Sequence, residues 1–203
     1  VEKSNVDTNV KIPTQEELIV FEKNVKDIPN EFTEFRNLTI IKLFCGSGIR
    51  SEELIGLDMK DVFLQEESPY IMVWGKGNKE VQDRVPLSYE ATDYLTEYFE
   101  YRKLFIEEKK EQNKSVDETP VFISNKCERI SKGAIDDFFK RYSNDMITPH
   151  MLRHWCGSHL YEDTKNIKLV QRVLRHKNIA VTAENYVHVS DDEVDSAVKM
   201  LRT

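Results

Sequence analysis

Residues 148–154 read "TPHMLRH". A hydroxyl residue followed by proline is a favoured helix start. The Thr148 oxygen accepts a free first-turn N–H, and Pro149 has no N–H to leave unpaired and a φ already near the helical value. His150 and Arg153 then stand three apart in the opening turn, on one face, beside backbone N–H groups that attract anions. An imidazole and a guanidinium held in this way make a good seat for phosphate oxygens. His150 and His154 are also four apart, a spacing open to two metal ligands. A zinc peptidase of that kind needs HExxH, and Met151 stands where its glutamate base would be. His154 itself leans toward the apolar side with Leu160 and reads by default as a hydrogen-bonded core histidine.

All five histidines of the 203 residues fall between positions 150 and 188. Charge is also uneven. Of 29 basic and 36 acidic residues, 11 and 6 lie between Lys126 and Lys177, leaving 18 and 30 elsewhere. The whole chain is acidic, which argues against a nucleic-acid partner, but this distribution is compatible with one basic face on an acidic body. Ordinary fluctuation along a Lys/Glu-rich chain explains the charge count equally well. Three widely spaced cysteines (Cys45, Cys127, Cys156) fit reduced thiols in a cytoplasmic protein better than a disulfide framework or a zinc site. No apolar run approaches the length of a membrane span.

On either side of the 148–154 stretch the periodicity is mostly helical. Thr14 followed by "QEEL" is a capping box that opens a helix through about Val25. "NEFTEFRNLTIIKLFCGSG" repeats apolar residues at helical spacing until Gly46 and Gly48 stop it. A short helix is predicted over Arg50–Leu57. "VFL", "YIMVWG" and "VQDRVPL" are β-rich runs, with "GKGNKE" between the last two as a hairpin tip. Helical patterns resume at 88–108, 132–142, 149–162, 167–175, about 179–187 and 191–202, with "EEKKEQNKSVDE" as a charged loop. The expected fold class is mainly α with a small three-stranded antiparallel β-sheet.

Taken singly, other polar residues are unremarkable to a sequence reader. Arg50 in "GSGIRSEEL" is most simply a surface arginine, Lys76 a solvated turn lysine, and Tyr186 a partly buried aromatic. In order, "GSGIRSEELIGL", "WGKGNKEVQDRVPL", "HMLRH" and "LRHKNIAVTAENYVHV" resemble the signature boxes of the tyrosine recombinases, also called the lambda-integrase or phage-integrase family. The resemblance runs from about Ile12 to the end. It implies the catalytic-domain fold of that family for residues 13–203, with residues 1–12 as the remnant of an interdomain linker and the DNA-clamping core-binding domain absent.

The resemblance also implies a mechanism. Tyr186 would attack the scissile phosphate, giving a 3′-phosphotyrosine bond and a free 5′-hydroxyl, with no metal, ATP or other cofactor. Arg50 and Arg153 would grip the non-bridging oxygens, Lys76 would protonate the departing oxygen, His150 would help take the tyrosine proton, and His176 would hydrogen-bond the phosphate. A phenol of pKa about 10 is a poor nucleophile at neutral pH, so it needs a positive pocket and a nearby base. Glu53 matches an acidic position that buttresses the arginine. Lys79 is the runner-up acid, and Arg175 and Lys177 are candidate DNA-backbone contacts. In the family a glycine usually precedes the second histidine, where this chain has Arg175, and a small hydroxyl residue and Phe usually follow the first histidine box, where it has Trp155 and Cys156.

The implied partners are double-stranded DNA target sites and further copies of the chain, a tetramer on synapsed DNA. The isolated domain would be monomeric, the C-terminal helix would dock on its own core or on a neighbouring protomer, and the protein would be cytoplasmic, encoded by a bacterium or a mobile element. The task would be integration or excision of a mobile element, with a Xer-like chromosome dimer resolvase as the alternative. A DNA-binding regulatory protein of the same fold, a relaxing enzyme of the type IB topoisomerase kind and a histidine-rich metalloenzyme are the remaining readings. A module that only binds DNA has no need of Tyr186.

Overall fold

The computed structural model describes residues 11–75, 81–176 and 182. Helix α1 (Gln15–Lys26) starts as its sequence requires: Thr14 Oγ1 accepts the Glu17 N–H at 3.1 Å and Glu17 Oε2 accepts the Thr14 N–H at 2.9 Å. Leu18, Phe21 and Val25 form its buried face. Helix α2 (Glu31–Ser47) is capped by Asn30 and buried on nearly every side from Arg36 to Phe44, as expected of a helix whose apolar residues circle its axis. Helix α4 (Tyr89–Glu111) lies along it, with Phe32 stacked on Phe105 at 3.9 Å between ring centroids. Helix α5 (Lys132–Ser143) closes the other side through Phe139, whose ring meets both Phe21 and Phe44.

Between α2 and α4 come a five-residue helix, α3 (Ser51–Ile55), and the sheet. Strands β1 (Val62–Phe63), β2 (Tyr70–Trp74) and β3 (Gln82–Pro86) are antiparallel in the order β1-β2-β3, with Ile71 opposite Val85. Ile71, Val73 and Val85 point into the core and alternate with more exposed neighbours, the period of a half-buried sheet. After α5, helix α6 (Pro149–Thr164) packs on α2 and hands over through a left-handed Lys165 to α7 (Ile167–Leu174). Val170 and Leu174 hold α7 against Leu160 and Tyr161 of α6. Among the described residues no helix is long and apolar enough to cross a membrane.

Several boundaries differ from the sequence reading. Gly46 does not stop α2; it lies inside the helix, where a Cβ would run into Ser88 Oγ and lie 2.9 Å from Ala91 Cβ. Gly46 therefore allows the start of α4 to approach, and Gly48, at φ 60°, is the stop. The helix expected over Arg50–Leu57 is only Ser51–Ile55, with Arg50 as its extended N-cap residue. Helix α4 continues through Glu111 into the charged run read as loop, its last turn carrying Lys109 and Lys110 at the negative end of the dipole. The hairpin tip at 76–80 and the helices expected at about 179–187 and 191–202 lie outside the described residues, Thr182 excepted.

Candidate active site

Arg50 and Arg153 reach one place from opposite directions. The left-handed Gly48 turns the chain from α2 into the N-terminus of α3 and so delivers Arg50. A side chain at position 48 would strain that turn and lie 2.6 Å from Leu174 Cδ2. Arg153 comes from the first turns of α6, whose start is built as predicted, with Thr148 Oγ1 accepting the Met151 N–H at 3.3 Å and Pro149 in the first turn. Buried Arg153 donates to the carbonyls of Gly48 and Leu174. Arg50 donates to the same Leu174 carbonyl at 3.2 Å and to that of Arg175 at 3.0 Å. Both guanidinium groups thus meet at the C-terminal end of α7.

They face a hollow of about 260 Å³ lined by Arg50, Ser51, Pro149, His150, Arg153 and His176. One water occupies about 30 Å³ in the liquid, so the space suits a group larger than a single solvent molecule. A second hollow of about 290 Å³ lies between α1 and the end of α5, lined by Val20, Phe21 and Met146 among others, and it offers an anion no basic side chain.

Each of the three histidines here has a side-chain neighbour within hydrogen-bond distance. His150 Nε2 lies 3.0 Å from His154 Nε2, with the rings edge to face, so one of these nitrogens carries the shared proton. His154 is buried, as expected of a core histidine, but its polar edge turns toward His150 rather than toward Leu160. The spacing of four already placed the two on one helix face. His176 Nδ1 lies 3.0 Å from the hydroxyl of the buried Thr182, a partner with no sequence signal. Burial, and then the charge of Arg153, lowers the His150 pKa. Burial also brings His154 and His176 down to about 4, reinforced for His154 by His150 and His176 and for His176 by Arg153 and Arg50. At neutral pH these imidazoles are uncharged beside fixed positive charge. An anion entering the hollow would raise all three values, because it favours the protonated form.

Glu53 and Arg175 form the outer wall. Glu53, with a side chain 3% exposed, accepts from Arg50 Nη1 at 2.7 Å and from the Arg50 backbone N–H at 2.9 Å. Its second oxygen also receives Arg175 Nη2. The turn before His176 is the left-handed one a glycine would make, adopted here by Arg175 at φ 53°. The Arg175 guanidinium is directed inward onto Glu53, with its side chain 10% exposed, and presents little to an external phosphate. Of the sequence candidates, the structure brings together Arg50, His150, Arg153 and His176 around the hollow, with Glu53 and Arg175 behind Arg50. Lys76, Lys79, Lys177 and Tyr186 lie outside the described residues.

The phage integrase family profile matches residues 16–193. The tyrosine recombinase XerC of Thermodesulfovibrio yellowstonii is 36% identical over 165 residues, 79% of this chain and 52% of that protein. The tyrosine recombinase XerS of Streptococcus gordonii is 34% identical over 172 residues, 82% of this chain and 45% of that one. The chain spans about half the length of the curated relatives it matches. Among solved structures, the XerH site-specific recombinase bound to difH substrate in its pre-cleavage complex superposes with a TM-score of 0.73 at 24% identity, over 93% of this chain and 53% of that one. The catalytic domain of bacteriophage HP1 integrase gives 0.59 at 18% identity over 95% of each. At these identities the structural likeness speaks for the fold alone. With the profile spanning nearly its whole length, the chain belongs to the phage integrase family.

Proposed function

We propose that this chain is the catalytic domain of a site-specific DNA recombinase that cleaves and rejoins strands through a 3′-phosphotyrosine intermediate without metal or ATP. The observation that carries the reading is the convergence of Arg50, His150, Arg153 and His176 on one hollow. Two guanidinium groups can bind the non-bridging oxygens and stabilise the charge that grows on a pentavalent phosphorane. Their present hydrogen bonds to carbonyl oxygens occupy donors that a phosphate would take over. His150, held neutral, is ready to accept the Tyr186 phenolic proton, His176 to hydrogen-bond the phosphate, and Lys76 to protonate the leaving 5′-oxygen. Lys79 and Lys177 are proposed backbone contacts.

The proposed partners are double-stranded target sites and three further protomers on synapsed DNA, with the C-terminal helix engaging a neighbour and the isolated domain monomeric. The proposed setting is the bacterial cytoplasm. The proposed task is integration or excision of a mobile element. A Xer-like role in resolving chromosome dimers is the second reading, favoured by relatives named XerC, XerD and XerS at 32–36% identity. Incubation with a nicked suicide duplex tests the chemistry. An EDTA-resistant covalent adduct is expected, and Tyr186→Phe should abolish it while DNA binding persists. An adduct formed by the Phe variant would remove Tyr186 as nucleophile.

A further inference from the structure

Position 175 is one of the places where this chain departs from the pattern it resembles, and the residue there is unfavourably placed by two measures. Arg175 adopts the left-handed region, φ 53°, which a residue bearing a Cβ enters at a cost. Its Nε is buried with no hydrogen-bond partner. What it gains is an ion pair, Nη2 on Glu53 Oε2, and a bond within its own turn, from Nη1 to the Val173 carbonyl at 3.1 Å. The same carboxylate holds Arg50 through Oε1 and through the Arg50 backbone N–H, and the Arg175 carbonyl accepts directly from Arg50 Nη2. Arg175 therefore touches Arg50 twice, through its own backbone and through Glu53. Strain and an orphaned polar atom borne together at a residue whose one ion pair among the described residues is with Glu53 point to a role in the site.

The charges indicate what that role is. A buried carboxylate beside Arg50 orients the guanidinium but also offsets its charge, which weakens the field it sends into the hollow. Among Arg50, Arg153, Glu53 and Arg175, the fourth group offsets the third. We propose that Arg175 is a positioning residue that acts through Glu53: it takes up the carboxylate's charge and leaves that of Arg50 to the scissile phosphate. This rests on the recombinase reading above. It predicts an effect on the step in which charge builds at phosphorus, larger than any effect on binding, because interactions stronger in the transition state raise the rate of the chemical step.

The test is single-turnover adduct formation on a nicked suicide duplex, with affinity measured across a salt series. Arg175→Gly keeps the left-handed turn, since glycine enters that region freely, so the backbone survives the substitution. It should slow adduct formation at saturating DNA about tenfold and change affinity less than about twofold. Arg175→Lys, which keeps the charge, should restore most of the rate. In a Glu53→Gln background the further change Arg175→Gly should cost less than about twofold, because coupled residues are non-additive. Absence of an adduct with the unaltered protein overturns the reading of the site itself. A normal adduct rate in Arg175→Gly overturns this inference alone. A salt dependence shallower by about one unit in that variant would also overturn it, by making Arg175 a phosphate contact.

Discussion

Two buried arginines in this molecule look alike until their surroundings are compared. Arg102 of α4 donates to the carbonyls of Glu118 and Pro120, both at 2.8 Å, and of Val121 at 3.1 Å. Arg153 of α6 donates to those of Gly48 and Leu174. Each is nearly excluded from solvent and each ties a turn to a helix. Arg102, however, shares none of its three carbonyls with a second guanidinium among the described residues. Tyr98 donates to the same Val121 carbonyl at 3.1 Å and stacks on Phe122. Arg153 shares its carbonyl with a second guanidinium and borders a hollow with two imidazoles. Burial and carbonyl bonds mark a structural stitch in both cases. Convergence of two guanidinium groups on an open space marks the site.

The sharpest way to break the comparison is to exchange the two effects by mutation. Arg153→Lys keeps a charge but not the planar fork, and it should slow adduct formation by about 10²–10³-fold, measured at saturating DNA, with the fold retained. Arg102→Ala should do the opposite. Three carbonyls lose a charged donor, so the urea midpoint should fall by the equivalent of about 2–3 kcal/mol while the adduct rate per folded molecule stays unchanged. A catalytic loss from Arg102→Ala with normal stability would erase the distinction.

A smaller effect separates the site from the core by pH. His154 and His176 titrate near 4 in the folded chain and near the ordinary 6.5 when unfolded. Between those values the unfolded chain binds protons that the folded one does not. Stability should therefore fall as pH drops from about 6.5 toward about 4 and lose nothing further to these groups below that. His154→Gln should flatten part of the decline, read as urea midpoints at pH 7.5 and 5. An equal decline in both proteins would mean that His154 contributes nothing to it.

Legibility in the sequence followed the range of the interaction. The capping box at Thr14 and the Thr148–Pro149 start are local devices, complete within four residues, and both stand as read. The three β-runs were legible because alternation is local too. Gly46 reads as a helix stop because its actual reason, the close approach of Ser88 and Ala91, leaves no local pattern. The bridge from Arg175 to Glu53 spans 122 positions, and its cause lies in the way α7 returns to α3. His154 reads as a core residue, and it is buried, but its Nε2 faces His150 one turn back. Arg50, His150, Arg153 and His176 could be nominated through a resemblance carried by four separate motifs. The spacing between those motifs does not by itself bring them together.

The central claim is that Arg50 and Arg153 face the non-bridging oxygens of a scissile phosphate. It is tested most directly by comparing cleavage at an ordinary phosphodiester with cleavage at a methylphosphonate, which carries no charge at phosphorus. Arg153→Ala should lose about 10²–10³-fold at the diester and much less at the methylphosphonate, whose phosphorane carries one negative charge fewer. An equal loss at both linkages would contradict the account.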